Sequence, residues 1–240
     1  MVEPGTHRTS PLSFVRRGGR MSDGQERAWE ELSPFYRFDV PRDAASTSVH
    51  PDARFIPEEE YGRKAPFIVE IGSGQGHAIV SAAASRPDTD FLAVEVYVGG
   101  LARTMLDADR EGAKNLRVIE ANAPEVLETL LPEGAADELW IFFSDPWHKK
   151  RHHKRRMIKD GFGAVAGRAL RDGGVLRLAT DWEDYALQMR EVMDAAPEFV
   201  RAFEGEWADR FDGRVMTAFE RKGIDKGRDI RDLSYRRAAR

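Results

Sequence analysis

The chain of 240 residues contains no cysteine, which excludes disulfides, a cysteine-based zinc site and thiol catalysis. Long apolar runs are missing too. The longest, Leu139 to Phe143, falls far short of the roughly 20 residues that a membrane-crossing helix needs. The opening stretch MVEPGTHRTS has no apolar segment to serve as a signal peptide. These absences lead to the expectation of a soluble, cytoplasmic protein with no membrane association. A surplus of positive charge is also lacking: the formal net charge is −4, which taken alone argues against a nucleic-acid partner. At 41% hydrophobic residues there is enough apolar material for a core, and one domain with appended arms is the default at this length.

The distribution of charge says more than its sum. Six Lys or Arg and three His fall within the nine residues from His148 to Arg156, and without those six cations the chain would stand at −10. No packed core is expected to use such a run. It reads either as a solvated turn or as the binding surface for a polyanion, and its place directly after an apolar run favours the polyanion. His148 and His152 are spaced i, i+4, as metal ligands on a helix are, but the adjacent cations would repel a divalent ion, so no metal is expected.

Residues 1–50 are rich in Pro, Gly, Ser and Arg and read as a basic, flexible arm bearing Arg8, Arg16, Arg17 and Arg20, with a short helix over Gln25 to Leu32. From residue 51 onward a single domain is expected. Apolar runs at Phe67–Ile71, Phe91–Val96, Leu116–Ile119, Leu139–Phe143 and Val175–Leu178 read as strands. They alternate with stretches of helical character at His77–Ser85, Gly99–Glu111, Pro124–Leu131, Lys154–Leu170 and Trp182–Ala195. Strands apolar on both faces and alternating with helices predict an α/β, doubly wound, Rossmann-like fold, with a mostly parallel sheet covered on both sides. In such folds ligands bind at the carboxyl ends of the strands, near the point where strand order reverses.

The candidate functional residues lie at those strand ends. After the first strand comes Glu70-Ile71-Gly72-Ser73-Gly74-Gln75-Gly76-His77, whose alternating glycines permit left-handed backbone and close approach to a ligand. Neither register of a dinucleotide fingerprint fits, because its third glycine would fall on His77 or Ile79. Glu95 ends the second strand, 19 residues past Gly76, where a carboxylate can accept ribose hydroxyls or simply face solvent. Asn122 follows the third strand, placed for an adenine edge or for ordinary turn chemistry. The fourth strand delivers Ser144-Asp145-Pro146-Trp147, in which Pro146 ends the ladder and aims Asp145 off the sheet. Trp147 reads equally as a base-stacking group or as packing under the turn. Asp181 ends the fifth strand as a rim carboxylate, unless Thr180 or Asp181 simply caps the following helix. Val215 to Phe219 alternates briefly, as a further strand would, and the last 20 residues form a second basic zone.

Taken in order, EIGSGQG, the Glu of AVEV, DPWHKKRHHKRR, TDW and TAFERKG resemble the tRNA (guanine-N7-)-methyltransferase family, and SFVRRGGRMSDGQ resembles its N-terminal segment. The resemblance implies S-adenosylmethionine as cofactor, contacted by Glu70, Gly72, Gly74, Gly76, Glu95, Asn122 and Asp145, with Asp145 the catalytic carboxylate. It implies that Lys149, Asp181, Thr217, Ala218, Phe219 and Glu220 contact the substrate. It further implies that Arg151, His152, His153, Lys154, Arg155 and Arg156 hold RNA. The implied product is N7-methylguanosine in the variable loop of tRNA, at position 46, made by a monomer or homodimer with no obligatory protein partner. Two departures stand out: Ser144 replaces a common Pro, which is expected to loosen the turn, and Asn122 replaces a common Asp. The alternatives are a methyltransferase acting on another base or on an exocyclic amine, whose (D/N/S)-P-P-(Y/F/W) turn SDPW matches only in part, and a non-catalytic RNA-binding module.

Overall fold

The computed structural model describes residues 21–43 and 47–240. Arg8, Arg16, Arg17 and Arg20 of the expected arm lie outside the described residues. Seven strands form one sheet in the order β3-β2-β1-β4-β5-β7-β6. The first five are β1 (Phe67–Ile71), β2 (Asp90–Glu95), β3 (Leu116–Glu120), β4 (Ala136–Phe142) and β5 (Leu170–Thr180), all mutually parallel. β6 (Phe199–Arg201) and β7 (Arg231–Arg237) close the sheet, with β7 antiparallel to both neighbours. Every residue of β1 is buried, and β2 is buried except at Glu95, as strands covered on both faces must be.

Two apolar layers provide that cover. One holds α3 (His77–Ser85) and α4 (Val98–Glu111) against Phe91, Val118 and Trp140. The other gathers α6 (Phe162–Ala169), α7 (Glu183–Asp194) and the segment after β3 against Leu92, Leu139 and Leu178. That segment is a three-residue turn, α5 (Ala123–Glu125), running into a π-helical stretch, Val126–Leu130. It replaces the helix expected over Pro124–Leu131.

Three further expectations change. The helix foreseen over Lys154–Leu170 divides into a 3-10 helix at Lys150–Arg155 and α6, because Gly161 stands in the left-handed region at φ 85° between them. The strand foreseen at Val215–Phe219 is a loop entering α8 (Ala218–Ile224), where the Thr217 side chain accepts from the Glu220 amide as N-cap. The C-terminal basic zone contains β7, whose Leu233 and Tyr235 are buried while its arginines run along the rim.

The packed body begins earlier in the chain than expected. α1 (Asp23–Tyr36) begins with a Ser22–Gln25 capping box and packs on α4. Tyr36, Val40 and Val49 are all buried, and Phe38 donates its amide to the Val118 carbonyl at 3.1 Å, extending the sheet edge beside β3. α1 and the described residues Val40 and Val49 therefore belong to the packed body, and the core extends to the N-terminal side of the boundary expected at residue 50. Another short helix, α2 (Pro57–Tyr61), precedes β1. Replacing Tyr36 by Ala is expected to lower unfolding free energy by about 3 kcal/mol, the cost of emptying an aromatic core position. A shift of the denaturant midpoint measures it, and an unchanged midpoint would mean that α1 is only an appendage.

Candidate active site

Strand order reverses between β1 and β4, and there a cleft of about 480 Å³ opens at the carboxyl edge of the sheet. The glycine loop forms one wall, with Gly72, Gly74 and Gly76 all left-handed at φ 71°, 59° and 76°. The space around this loop is close-fitted. A Cβ on Gly76 would meet Thr104 at 2.4 Å, and one on Gly100 of α4 would meet the Gly74 carbonyl oxygen at 2.2 Å. Glu95 ties the loop to β2: its Oε2 accepts from the Gly74 amide at 2.9 Å, while Oε1 accepts from Val96 and Tyr97 at 2.6 and 3.1 Å.

Several oxygens in this region have no protein partner although they are shielded from water: Glu70 Oε2, Ser73 Oγ and Asn122 Oδ1. Buried polar atoms left unpaired are rare and costly, and the Glu70 and Ser73 oxygens are placed to accept from a ligand that brings donors. Glu70 and Ser73 line the cleft, as do Ala121 and Ala123 on either side of Asn122. Burial pushes the Glu70 carboxyl up to about 8, helped by the negative charge of Glu95 and only partly opposed by the Ile79 amide. Glu95 is raised as well, by burial first, against three backbone amides that lower it, and Asp145 adds to the rise. Ser73 was not singled out from the sequence, since a serine between glycines is ordinary loop composition. Its unpartnered Oγ and its place on the cleft lining make it a candidate.

The opposite wall is the exit of β4, where Phe143 and Trp147 are, among the described residues, the non-glycine positions with positive φ, at 54° and 48°. They bracket Ser144, Asp145 and Pro146, and the strain places Asp145 on the cleft's lining. Ser144 donates weakly to the Tyr185 hydroxyl at 3.4 Å, so the residue expected to loosen the turn contributes a contact to it. Trp147 is half-buried, with His152 edge-on at 5.8 Å and Arg155 over its ring at 4.9 Å.

Beyond this turn Lys149, Lys150, Arg151, Lys154 and Arg155 are exposed, and His152 and His153 are partly so. Arg156 is not. Only 1% exposed, it donates to the Pro146 carbonyl at 2.8 Å, to Gln188 at 2.6 Å and to Asp184, and lies over the Tyr185 ring. Burial runs against its expected role as an RNA contact, and one member of the run does serve the core. Among the described residues no group of three or more His, Asp or Glu is gathered as a metal ion would need.

α8 closes the cleft from above, with Thr217, Ala218, Phe219 and Lys222 on its lining. Lys222 carries no signal in the sequence that sets it apart from other surface lysines. Glu220, expected to touch substrate, is turned away and 1% exposed, paired with Arg210 at 2.9 Å and Arg214 at 3.0 Å. Arg214 also binds Asp232 of β7 and lies over the rings of Phe142 and Phe143. Burial alone would raise the Glu220 carboxyl, but the two guanidinium groups outweigh it and hold it below its usual range. Asp181 is likewise engaged, with Arg228 at 2.7 Å beneath Gly223. Lys149 and Asp181 lie outside the cleft lining, so the structure does not bring them to the cleft with Asp145.

Two consequences can be measured. The raised Glu70 carboxyl binds its proton more tightly folded than unfolded, so between about pH 4.5 and pH 8 it costs stability progressively as pH rises. Glu70→Gln without ligand should therefore melt higher than the parent at pH 8, by an increment on the order of a few kcal/mol that shrinks toward pH 5. An increment independent of pH would contradict the shift. Glu220→Gln should cost about 3–5 kcal/mol by leaving Arg214 and Arg210 short of a partner, read as a fall in unfolding free energy.

Comparison with known proteins agrees with this geometry. A family described as "Putative methyltransferase" matches residues 64–233. A tRNA (guanine-N(7)-)-methyltransferase of Paenarthrobacter aurescens (strain TC1) is 47% identical, the match covering 97% of this chain and 93% of that relative. One of Cutibacterium acnes is 45% identical, over 98% of this chain and 88% of its own length. Among solved structures, a point mutant of a 16S rRNA (adenine(1408)-N(1))-methyltransferase from Catenulisporales acidiphilia, with cosubstrate SAM, superposes with a TM-score of 0.52 at 16% identity, covering 80% of this chain and 93% of that one. That likeness establishes the Rossmann-like methyltransferase fold. With identity this high to the curated relatives over nearly the whole length, the chain belongs to the tRNA (guanine-N(7)-)-methyltransferase family.

Proposed function

We propose that this chain transfers the methyl group of S-adenosylmethionine to N7 of a guanosine in tRNA, at position 46 of the variable loop. The observation that carries the reading is one of adjacency. A cleft holding unpartnered oxygens of Glu70 and Ser73 runs directly into an exposed surface of five cations, through the turn that bears Asp145.

The residues present fit the cofactor. The ammonium of its amino-acid portion would supply the donors that Glu70 Oε2 lacks, drawing the carboxyl back to its charged form. Glu95 already accepts three amides, which leaves room on Oε2 for about one ribose hydroxyl rather than two. Asn122 Oδ1 is free to accept from the adenine amino group, and its uncharged amide suits a neutral base. When bound, the cofactor supplies a methyl group already activated on a sulfonium.

Guanine N7 carries an in-plane lone pair, so no strong base is required to create the nucleophile. Alignment is the main task, and positioning two bound reactants can supply about 7–11 kcal/mol of the barrier reduction. Asp145 would accept from the guanine N1–H and exocyclic amino group, fixing the base and tolerating the positive charge that develops on it. Thr217, Ala218 and Phe219 line the cleft from α8, where they would cover the base. Lys149, Lys150, Arg151, Lys154 and Arg155 would hold phosphates, which positions RNA without reading its sequence.

Asp145→Ala is expected to lower turnover by at least about 100-fold, the scale of losing one aligned polar group at the reacting centre, while tRNA affinity stays largely intact. Near-normal turnover would remove Asp145 from the chemistry. Affinity for tRNA should fall steeply with salt, and Arg151→Ala and Lys154→Ala should each reduce the log–log slope by about 0.7–0.9. A slope unaffected by either would make the basic run plain solvated surface.

A further inference from the structure

A guanidinium withdrawn from a surface that otherwise points its cations outward needs a reason. Arg156 is the C-cap of the Lys150–Arg155 helix, and it turns inward where its neighbours turn out. Burying an unpaired charge costs several kcal/mol, so the side chain must be held on all sides. It is. Nε takes the Pro146 carbonyl at 2.8 Å, Nη1 takes Gln188 Oε1 at 2.6 Å, and Nη2 takes Asp184, with His153 Nε2 at 3.0 Å. The plane of the fork lies over Tyr185 at 4.9 Å. Three of these partners, Asp184, Tyr185 and Gln188, come from one turn of α7.

The other end of this arrangement is the turn that carries Asp145. Left-handed backbone at two non-glycine residues costs about 1–3 kcal/mol each and persists only where the surroundings over-determine it. Phe143 is held by its amide on the Ala179 carbonyl at 2.8 Å. Ser144 reaches Tyr185, whose hydroxyl also accepts the Ile158 amide at 3.1 Å. Pro146 has no amide of its own, so its carbonyl is the backbone handle left at that residue, and Arg156 holds it.

We propose that Arg156 is a positioning residue for Asp145, bracing the strained exit of β4 against α7, and does not bind RNA. The inference rests on the methyltransferase reading of the cleft only for its kinetic consequence. The brace itself is a property of the folded chain. Lysine cannot substitute, because a single ammonium cannot engage Pro146, Gln188 and Asp184 in fixed directions at once.

Three measurements on the full-length protein test this. In Arg156→Lys, turnover at saturating tRNA should fall about 10- to 100-fold, the scale that a misplacement near 1 Å carries, with tRNA affinity and its salt slope unchanged. Amide hydrogen exchange over residues 143–148 should be faster than in the parent, while the amides of β1 and β2 keep their protection. Gln188→Ala, on α7 and outside the basic run, should shift exchange and turnover in the same direction to a smaller degree, and it guards against poor folding of the lysine variant. If Arg156→Lys instead flattens the salt slope by one phosphate contact and leaves turnover at saturation intact, the residue binds RNA and the proposal fails. It fails equally if the turn exchanges at the parental rate in both variants. Exchange needs no substrate, so an inactive parent protein would sink the functional reading while these rates still decide the brace.

Discussion

The exit of β4 is the constraint on which the rest of the site depends. A parallel strand buried on both faces can present a functional side chain only where its ladder stops. Here it stops abruptly, between two residues forced into left-handed backbone. That geometry swings Asp145 onto the cleft and sends the following chain outward as the basic 3-10 helix. One short turn therefore joins the cleft to the charged surface. The elements around it supply the restraint: α7 through Tyr185, Asp184 and Gln188, and the buried Arg214 fork against Phe142 and Phe143.

Charge is sorted by depth. Carboxylates occupy the floor of the cleft, where burial raises Glu70 and Glu95 and makes both receptive to a ligand that brings donors or positive charge. Cations occupy the exposed shelf beyond. A net charge of −4 conceals this separation, because the basic shelf offsets only part of the acidic body's −10. A cation paired with Glu70 would offset the stability that its charged, buried carboxylate costs, so ligand affinity and pH-dependent stability would come from the same group.

The sheet core was readable in the sequence because each of β1 to β5 contains a short apolar run, and the glycine loop because alternating glycines have few other uses before a helix. What stayed hidden was decided by tertiary contacts. Within a run of six similar cations, no local signal marks Arg156 as the one turned inward; Asp184 and Gln188, about 30 residues later, make it so. Glu220 looks like a surface residue on a helix until Arg210 and Arg214 fold back over it. β7 was masked by its own arginines, since only Leu233 and Tyr235 mark its buried face. The packed role of α1 was obscured by the Pro and Gly on either side of it, and Pro34 stands within its last turn.

Incubating the protein with S-adenosylmethionine and unmodified tRNA transcripts, then treating the product with borohydride and aniline, is the most direct measurement of transfer to N7. Strand cleavage at a single guanosine of the variable loop, with N7-methylguanosine identified by mass spectrometry, is the predicted result. Methyl incorporation that leaves the strand intact, as an exocyclic or ring-nitrogen product other than N7 would, contradicts it, as does tRNA binding without any transfer.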